Sequence, residues 1–323
     1  MTERRWDVVV VGGANWDYLI RGPALPAPGG TARGDDFQEA PGGKGANQAV
    51  AAARLGARVA LVARIGNDDQ GTRILERLHA EGVGVDHVAR DDEIPTGIAL
   101  IQVGGRGEKQ ILATTGANGK LSIADVGAAR DVIARAAVLL VQLEPPVHVI
   151  DAAVRIAHAA GAQVVLDPAP PALLPDDTLR FVSLARPNSE EATAMTGIHV
   201  HDRDTARAAA RALIERGVRV AVVQAGSTGD LMLWRERDAE RECWLPHFDV
   251  RSVDATGAGD AFAAALAVML AEHRPLDEAG RFASAAAALK TTKLGAQAGL
   301  PTRDEVEAFL RDRAIPAPYG RIP

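Results

Sequence analysis

Runs of four to six β-branched or aliphatic residues recur along the chain, at VVVVG (8–12), VALVARI (59–65), VLLVQL (138–143), VVLD (164–167) and VAVVQ (220–224). They are apolar at successive positions rather than alternate ones, the pattern of parallel strands covered on both faces. Stretches with helical patterning fall between and after them, at Gly45–Leu55, Gln70–Glu81, Val147–Ala160, Asp204–Arg216, Ala258–Ala271 and Leu276–Thr292. This alternation predicts an α/β fold: a doubly wound, mostly parallel sheet flanked by helices. Two regions break the alternation. Residues 16–41 carry WDYLIRG, a Pro/Gly-rich turn and DDFQEA, and residues 96–115 place two strand-like runs around a GGRGE turn. Read as antiparallel insertions they predict a small β lid over 16–41 and 96–118, leaving 1–15, 42–95 and 119–323 as the core; the plainer alternative is a pair of surface hairpins. Past Leu310 the segment AIPAPYGRIP holds three prolines in ten residues and predicts no regular structure.

Composition narrows the function classes. With 323 residues, 47% apolar and 24% charged, the chain has enough material for a full core. A formal charge of −6 and a pI near 5.8 give no basic field for nucleic acid. Apolar stretches such as Ala261–Ala271 fall short of the roughly 20 residues of a membrane span, so no membrane partner is expected. MTERRWDVVVVGG reads as a first strand in a cytoplasmic protein rather than as a leader. The single Cys243 excludes an intramolecular disulfide or a thiolate zinc cluster and reads as an ordinary reduced thiol.

The chemistry concentrates in glycine-led helix starts. In RSVDATGAGDAFAAALAVML (251–270), Gly257 and Gly259 stand where an Ala-rich helix begins, so backbone N–H groups can face an anion. Asp260, in the first turn, taken alone reads equally as a partner of the helix dipole. PGGKGANQAVAAARLG (41–56) repeats the device, with Lys44 and Asn47 as donors suited to hydroxyl groups; the alternative is a helix start with a solvated lysine. It is not a phosphate loop of the GxxxxGK[ST] type. Asn15 and Asp17 follow the first strand, where open α/β sheets place ligand groups, though turn residues look the same.

Together these segments closely resemble the ribokinase family of PfkB-type carbohydrate kinases, from about Asp7 to Leu310. PGGKGANQA and DATGAGD look like its two signatures, and VQLEPP (141–146), LDPAP (166–170), RPNSEEATAMTG (186–197) and LGAQAG (294–299) extend the match in order. The resemblance implies ATP-dependent phosphorylation of a sugar alcohol, D-ribose first, with Asp260 as the base and Gly257, Ala258 and Gly259 as an anion hole. It implies that Asn15, Asp17, Gly43, Lys44, Asn47 and Glu144 hold the sugar. Asn188 and Glu191 would hold Mg2+ and phosphates through water, and Gln224, Gly226, Ser227, Gly229 and Ser284 would border the nucleotide. It further implies a monovalent cation, K+, beside the anion hole, held by Asp254 and by carbonyls of Thr256, Lys290, Lys293 and Gly295, with Gly299 near the sixth position; the competing arrangement, a Lys290 or Lys293 ammonium turned into this space in place of the metal, is disfavoured because both side chains can reach solvent. A homodimer through the lid is expected, because an open lid leaves Ile98, Leu100 and Ile111 in need of cover.

Three positions depart from the family pattern: Ala255 after Asp254, Gln224 beside the nucleotide, and a bulky Trp16 between Asn15 and Asp17, which could reshape the sugar pocket or pack on the lid. Alternatives within the family are fructose, deoxyribose, a keto-deoxy sugar acid or a nucleoside; the acid would want a pocket arginine. A non-catalytic sugar- or nucleotide-binding regulator would not require Asp260. A dinucleotide-binding dehydrogenase is disfavoured because VVGGANWD lacks GxGxxG.

Overall fold

Alternate residues of one strand enter two different cores. Val8 and Val10 pack with one cluster, Val9 and Val11 with the other, and Leu61 and Val62 divide in the same way. Period-2 geometry sends successive side chains to opposite faces, so a strand that is apolar throughout must be covered twice.

The structure is a computed structural model and describes residues 5–105, 108–226, 229–237 and 239–313. In chain order the elements are β1 (Trp6–Val11), β2 (Asn15–Arg21), β3 (Asp36–Gly42), α1 (Lys44–Arg54), β4 (Val59–Gly66), α2 (Asp69–Ala80), β5 (Gly84–Asp91), β6 (Gly97–Val103) and β7 (Lys109–Thr114). A 3-10 turn at Gly116–Lys120 leads to α3 (Ile123–Ala128), α4 (Arg130–Ala134), β8 (Ala136–Val141), α5 (Val147–Ala159), β9 (Gln163–Leu166), α6 (Asp176–Leu179), β10 (Leu184–Ala185), α7 (Ser189–Thr196) and α8 (Arg203–Glu215). The chain closes with β11 (Val220–Gln224), β12 (Gly229–Glu236), β13 (Ala239–Pro246), α9 (Ala258–Ala271), α10 (Leu276–Thr291) and α11 (Arg303–Arg311). The expected α/β class and the helix positions hold to within a residue or so at each end.

The large sheet runs β13-β12-β11-β10-β9-β8-β1-β4-β5, parallel from β11 to β5, with β12 and β13 added antiparallel at one edge. Because β1 has β4 on one side and β8 on the other, the connections diverge from it in opposite directions. The strand C-termini flanking that divergence are where such sheets place ligands.

The second sheet has the order β3-β2-β6-β7. Each hairpin is antiparallel, but β2 and β6 join them in parallel, Asn15 beside Gly97 through Arg21 beside Val103. The sequence-based expectation of antiparallel insertions therefore holds within each hairpin and fails at the seam. Residues paired across strands share a face. Trp16, Tyr18, Ile98 and Leu100 point one way; Asn15, Asp17, Ala99 and Ile101 point the other.

That alternation settles Trp16. It is 3% exposed, its Nε1 donates to Glu39 Oε2 at 3.1 Å, and the Arg73 guanidinium of α2 lies 4.1 Å from its ring centroid. It packs on the small sheet, away from Asn15 and Asp17.

Candidate active site

Gly43 and Gly257 begin α1 and α9 with φ of +85° and +84°, a left-handed conformation that glycine adopts without a Cβ penalty. Neither helix has a side-chain cap on its first amides from within the local chain. At α1 the gap is closed from afar: Glu144, just beyond β8, accepts the Lys44 N–H at 2.9 Å, and Ala46 N–H donates to Gly13 O at 3.0 Å. At α9, the Ala258 amide turns back to Ala255 O at 3.1 Å, so of the expected Gly257, Ala258 and Gly259 it alone is committed; the Gly257 and Gly259 amides, and that of Asp260 beside them, have no partner among the described residues.

Asp260 stands between these two starts. It is 5% exposed, and its carboxylate accepts from Asn47 Nδ2 at 2.9 Å and from Gln48 Nε2 at 3.1 Å, which fix its orientation. Gln48 Nε2 also donates to Asp167 Oδ2 at 2.7 Å, and Gln142 donates to Gln48 Oε1. Asn47 Oδ1 is buried without a partner, an acceptor left for a ligand. Asn15 Oδ1 accepts from Asn118 Nδ2 at 2.7 Å, and Asn118 also bonds both backbone groups of Ala14.

Asp260, Asp167, Glu144 and Glu191 surround Lys44, while Asp17 faces Lys109. Burial pushes Asp17 up to about 6, Glu144 to about 7 and Asp167 to about 7. Lys109 opposes the shift of Asp17, and Lys44 opposes the other two. Burial works against the charge on Lys44 as well, yet Asp260, Asp167, Glu144 and Glu191 together hold its ammonium above the ordinary lysine range.

A cleft of about 570 Å³ opens beside this cluster. Lys44, Asn188, Glu191, Gln224, Gly257, Ala258, Gly259, Asp260 and Ser284 line it, so the structure brings these expected residues together. Asn15, Asp17, Gly43, Asn47 and Glu144 do not line it; Asn15 and Asp17 stand on β2 of the small sheet, and Asn47 and Glu144 are joined to the cleft residues by the Asn47–Asp260 and Lys44–Glu144 bonds. Asn188 and Glu191 form a reciprocal cap on α7, with Asn188 Oδ1 accepting the Glu191 N–H and Glu191 Oε2 accepting the Asn188 N–H, both at 2.8 Å. Ser284 Oγ is buried without a partner in the cleft. Gly226 and Gly229 flank the turn between β11 and β12 without lining the cleft, and Ser227 lies outside the described residues.

Residues 6–303 match the pfkB family carbohydrate kinase pattern. The chain belongs to this kinase family. It is 39% identical to a ribokinase of Haemophilus influenzae over 306 residues, covering 95% of this chain and 99% of the relative. A ribokinase of Bacillus subtilis is 36% identical over 304 residues, 94% of this chain and 99% of that one. The structure of Arabidopsis thaliana ribokinase complexed with ribose and ATP superposes with a TM-score of 0.85 at 31% identity, covering 95% and 99% of the two chains.

One part of the expected kinase site is overturned. Lys290 is fully buried, and its ammonium donates to Asp254 O at 2.9 Å and to Lys293 O at 3.2 Å, inside the supposed cation cage. Helical spacing explains the inward direction, because Phe282, Ala286 and Lys290 follow one another at four-residue steps on the buried face of α10. Lys293 does reach the surface, paired with Glu305 at 2.6 Å. Asp254 accepts from Thr256 N–H and Gly295 N–H, both at 3.0 Å, and Thr256 Oγ1 accepts from Lys109 Nζ at 2.6 Å. Gly299 packs against the Lys290 stem. With an ammonium among these carbonyls, the residues do not fit a potassium ion.

Several contributors had escaped notice. Arg186, at the end of β10, lines the cleft 9% exposed, with Nε unpartnered and its guanidinium 4.7 Å from the Phe262 ring centroid. A Cβ on Gly259 would lie 3.1 Å from Arg186 Nη1, so this charge faces the α9 start rather than the residues under the small sheet. Arg186 opens the RPNSEE motif, and that was its available signal; Asn118, Gln48 and Gln142 had none beyond their polarity in apolar surroundings.

Proposed function

We propose that this kinase transfers the γ-phosphoryl group of ATP to O5 of D-ribose, giving ribose 5-phosphate and ADP. The observation that carries the reading is the position of Asp260, oriented by Asn47 and Gln48 at the junction between the residues under the small sheet and the open start of α9. Ribose would lie against Asn15, Asp17, the Gly43 turn, Asn47 Oδ1 and Glu144, with the triphosphate in the cleft. Asp260 accepts the proton of the primary hydroxyl as its oxygen attacks the γ-phosphorus, and the bond to the bridging oxygen breaks to release ADP. Charge on the equatorial oxygens meets the Gly259 and Asp260 amides, the α9 N-terminus and the Arg186 guanidinium. Lys44 offsets the surrounding carboxylates.

Mg2+ fits this arrangement as an ion held mainly by phosphate oxygens and water near Glu191 and Asn188, because no cluster of three acidic, His or Cys ligands occurs among the described residues. It would supply charge neutralisation on the triphosphate.

The small sheet, 16–41 and 96–118, serves as a lid that excludes water from the transfer. Ile20, Phe37, Leu100 and Leu112 are exposed on the face of this sheet that carries Trp16 and Tyr18, Leu112 to 73%, and Ile111 is exposed on the opposite face; these support a homodimer through the small sheet. No helix among the described residues is long and apolar enough to cross a membrane, and a supply of ATP suits a cytoplasmic setting.

The test is a steady-state assay of ADP formation across pentoses, hexoses and nucleosides, with the phosphorylated position assigned by NMR. D-ribose should give the highest kcat/KM; a tenfold or greater preference for another substrate overturns the assignment, and failure to phosphorylate any of them overturns the reaction.

A further inference from the structure

We propose that Lys290 is a tethered substitute for a monovalent metal ion: its ammonium clamps the loop that presents the α9 anion site, so that catalysis requires no dissociable cation there. The inference rests on the kinase reading above. Lys290 is a positioning residue, acting on the reaction through the loop.

The clamp joins two loops. One runs from β13 into α9 and contains Asp254, three residues before Gly257; the other follows α10 and contains Lys293 and Gly295. The Lys290 ammonium donates to a carbonyl on each, Asp254 O at 2.9 Å and Lys293 O at 3.2 Å. The Asp254 carboxylate completes the link in the opposite sense, accepting the Gly295 N–H at 3.0 Å and the Thr256 N–H at 3.0 Å. Val253 and Asp254 also donate their amides to Thr291 O, at 2.7 and 3.0 Å. A positive charge gathering carbonyl oxygens with a carboxylate nearby is the work a potassium ion would do between such loops. An ammonium is close to that ion in charge and size, but here it is carried on a side chain.

Two further observations show a space built for the lysine. First, the residue is fully buried, and a buried ammonium is tolerated only when it is paired and hydrogen-bonded. Burial lowers its proton affinity and Lys109 lowers it further, while Asp254 and Asp260 work in the opposite direction. Second, a Cβ on Gly299 would lie 3.1 Å from Lys290 Cε and 3.1 Å from Lys293 O, so the absence of a side chain at Gly299 leaves the channel that the lysine stem fills.

The consequence lies in preorganisation. The amides of Gly259 and Asp260 stabilise charge only if they are held in place before the transition state forms. A lysine pinning Asp254 does so permanently, whereas a bound ion does so only while its site is filled.

The test compares potassium chloride with tetramethylammonium chloride at equal ionic strength, reading ADP formation with ribose together with melting temperature. For the parent enzyme kcat should agree within about twofold between the salts, since screening acts alike in both. In tetramethylammonium, Lys290→Ala should lose about tenfold or more in kcat, with KM for both substrates changing less, as expected of a misplaced but uncontacted site. Potassium or ammonium should restore most of that loss and raise the melting temperature of Lys290→Ala alone by about 3 °C or more, because the ion binds only the folded variant. Lys290→Met, whose stem still fills the channel, should lose rate without rescue.

Potassium activation of the parent by about fivefold or more would overturn the proposal, as would a folded Lys290→Ala with parental kcat in tetramethylammonium. Should Lys290→Ala fail to fold, the salt response of the parent decides alone: indifference supports the tethered cation and activation refutes it. Absence of phosphorylation in every salt would count against the kinase reading, and the potassium-specific melting shift of Lys290→Ala would then decide the clamp separately.

Discussion

The two glycine-led helix starts use one backbone device to opposite ends. At α1 the first amides are consumed inside the protein, by Glu144 and by Gly13 O, so the positive end of the helix becomes a fixed platform beneath the small sheet. At α9 the corresponding amides of Gly259 and Asp260 are left uncommitted and face a cleft with Arg186 and Ser284, whose Nε and Oγ also lack hydrogen-bond partners. An unsatisfied buried donor costs about 1–3 kcal/mol, so leaving several together is sustained only where a ligand completes them. The finished terminus shapes a neutral substrate; the unfinished one receives charge.

The largest expected effect comes from removing the group at the α9 side. Asp260→Asn should lower kcat by about 10² to 10⁴ while ATP binding, measured by titration calorimetry, stays near parental. Near-normal turnover in a folded variant would remove Asp260 from the mechanism. Opening the other terminus should do something different. Glu144→Ala leaves the Lys44 amide unpaired and should cost about 1–3 kcal/mol in urea unfolding, and it should raise KM for ribose more than it lowers kcat. If stability is unchanged, the closed terminus is no platform.

A pH profile sharpens the same contrast. Burial lifts Asp17 to about 6, so the native protein retains a proton there that the unfolded chain releases at lower pH. The resulting stability is complete below the unfolded value of 3.8 and is lost as pH rises through about 6. On the proposed ribose site, with Asp17 accepting from the sugar as a carboxylate, kcat/KM for ribose should fall about tenfold from its plateau by pH 5. Asp17→Asn should remove that limb and should gain stability over the parent more at pH 8 than at pH 5. A profile identical in the variant would assign the limb elsewhere. The smallest effect is expected at Trp16. Because it faces α2, Trp16→Phe should leave KM for ribose within about twofold and destabilise by about 1 kcal/mol through lost packing and the Glu39 bond; a large change in KM would place the ring in the sugar pocket.

What could be read from the sequence followed from local periodicity. The buried strands, the long helices and both glycine turns announce themselves over a few residues, whereas Asn188, Glu191, Gln224 and Ser284 of the cleft came only with the family resemblance. The β12–β13 hairpin did not, because WRERDAERE looks like a solvated surface. Its charges in fact bind α8, with Glu242 pairing Arg203 and Arg207 and Glu240 pairing Arg211. Asn118 and Gln48 escaped because their partners stand more than a hundred residues away. Lys290 was visible as a lysine, but its direction was misjudged: the four-residue spacing from Phe282 and Ala286 put it on the buried face, whereas a charged residue near a helix end suggests solvent.

The parallel seam between β2 and β6 also bears on how the molecule assembles. Each hairpin can close early, since its strands are near neighbours in the chain, yet a lone hairpin is marginal in water. The seam needs residue 15 beside residue 97, with α1, β4, α2 and β5 between them. Closing so long a loop loses entropy that only the finished core can offset. The small sheet therefore assembles late, on an already folded platform, and in the native protein it is the region whose amides should open to solvent without requiring the core to unfold.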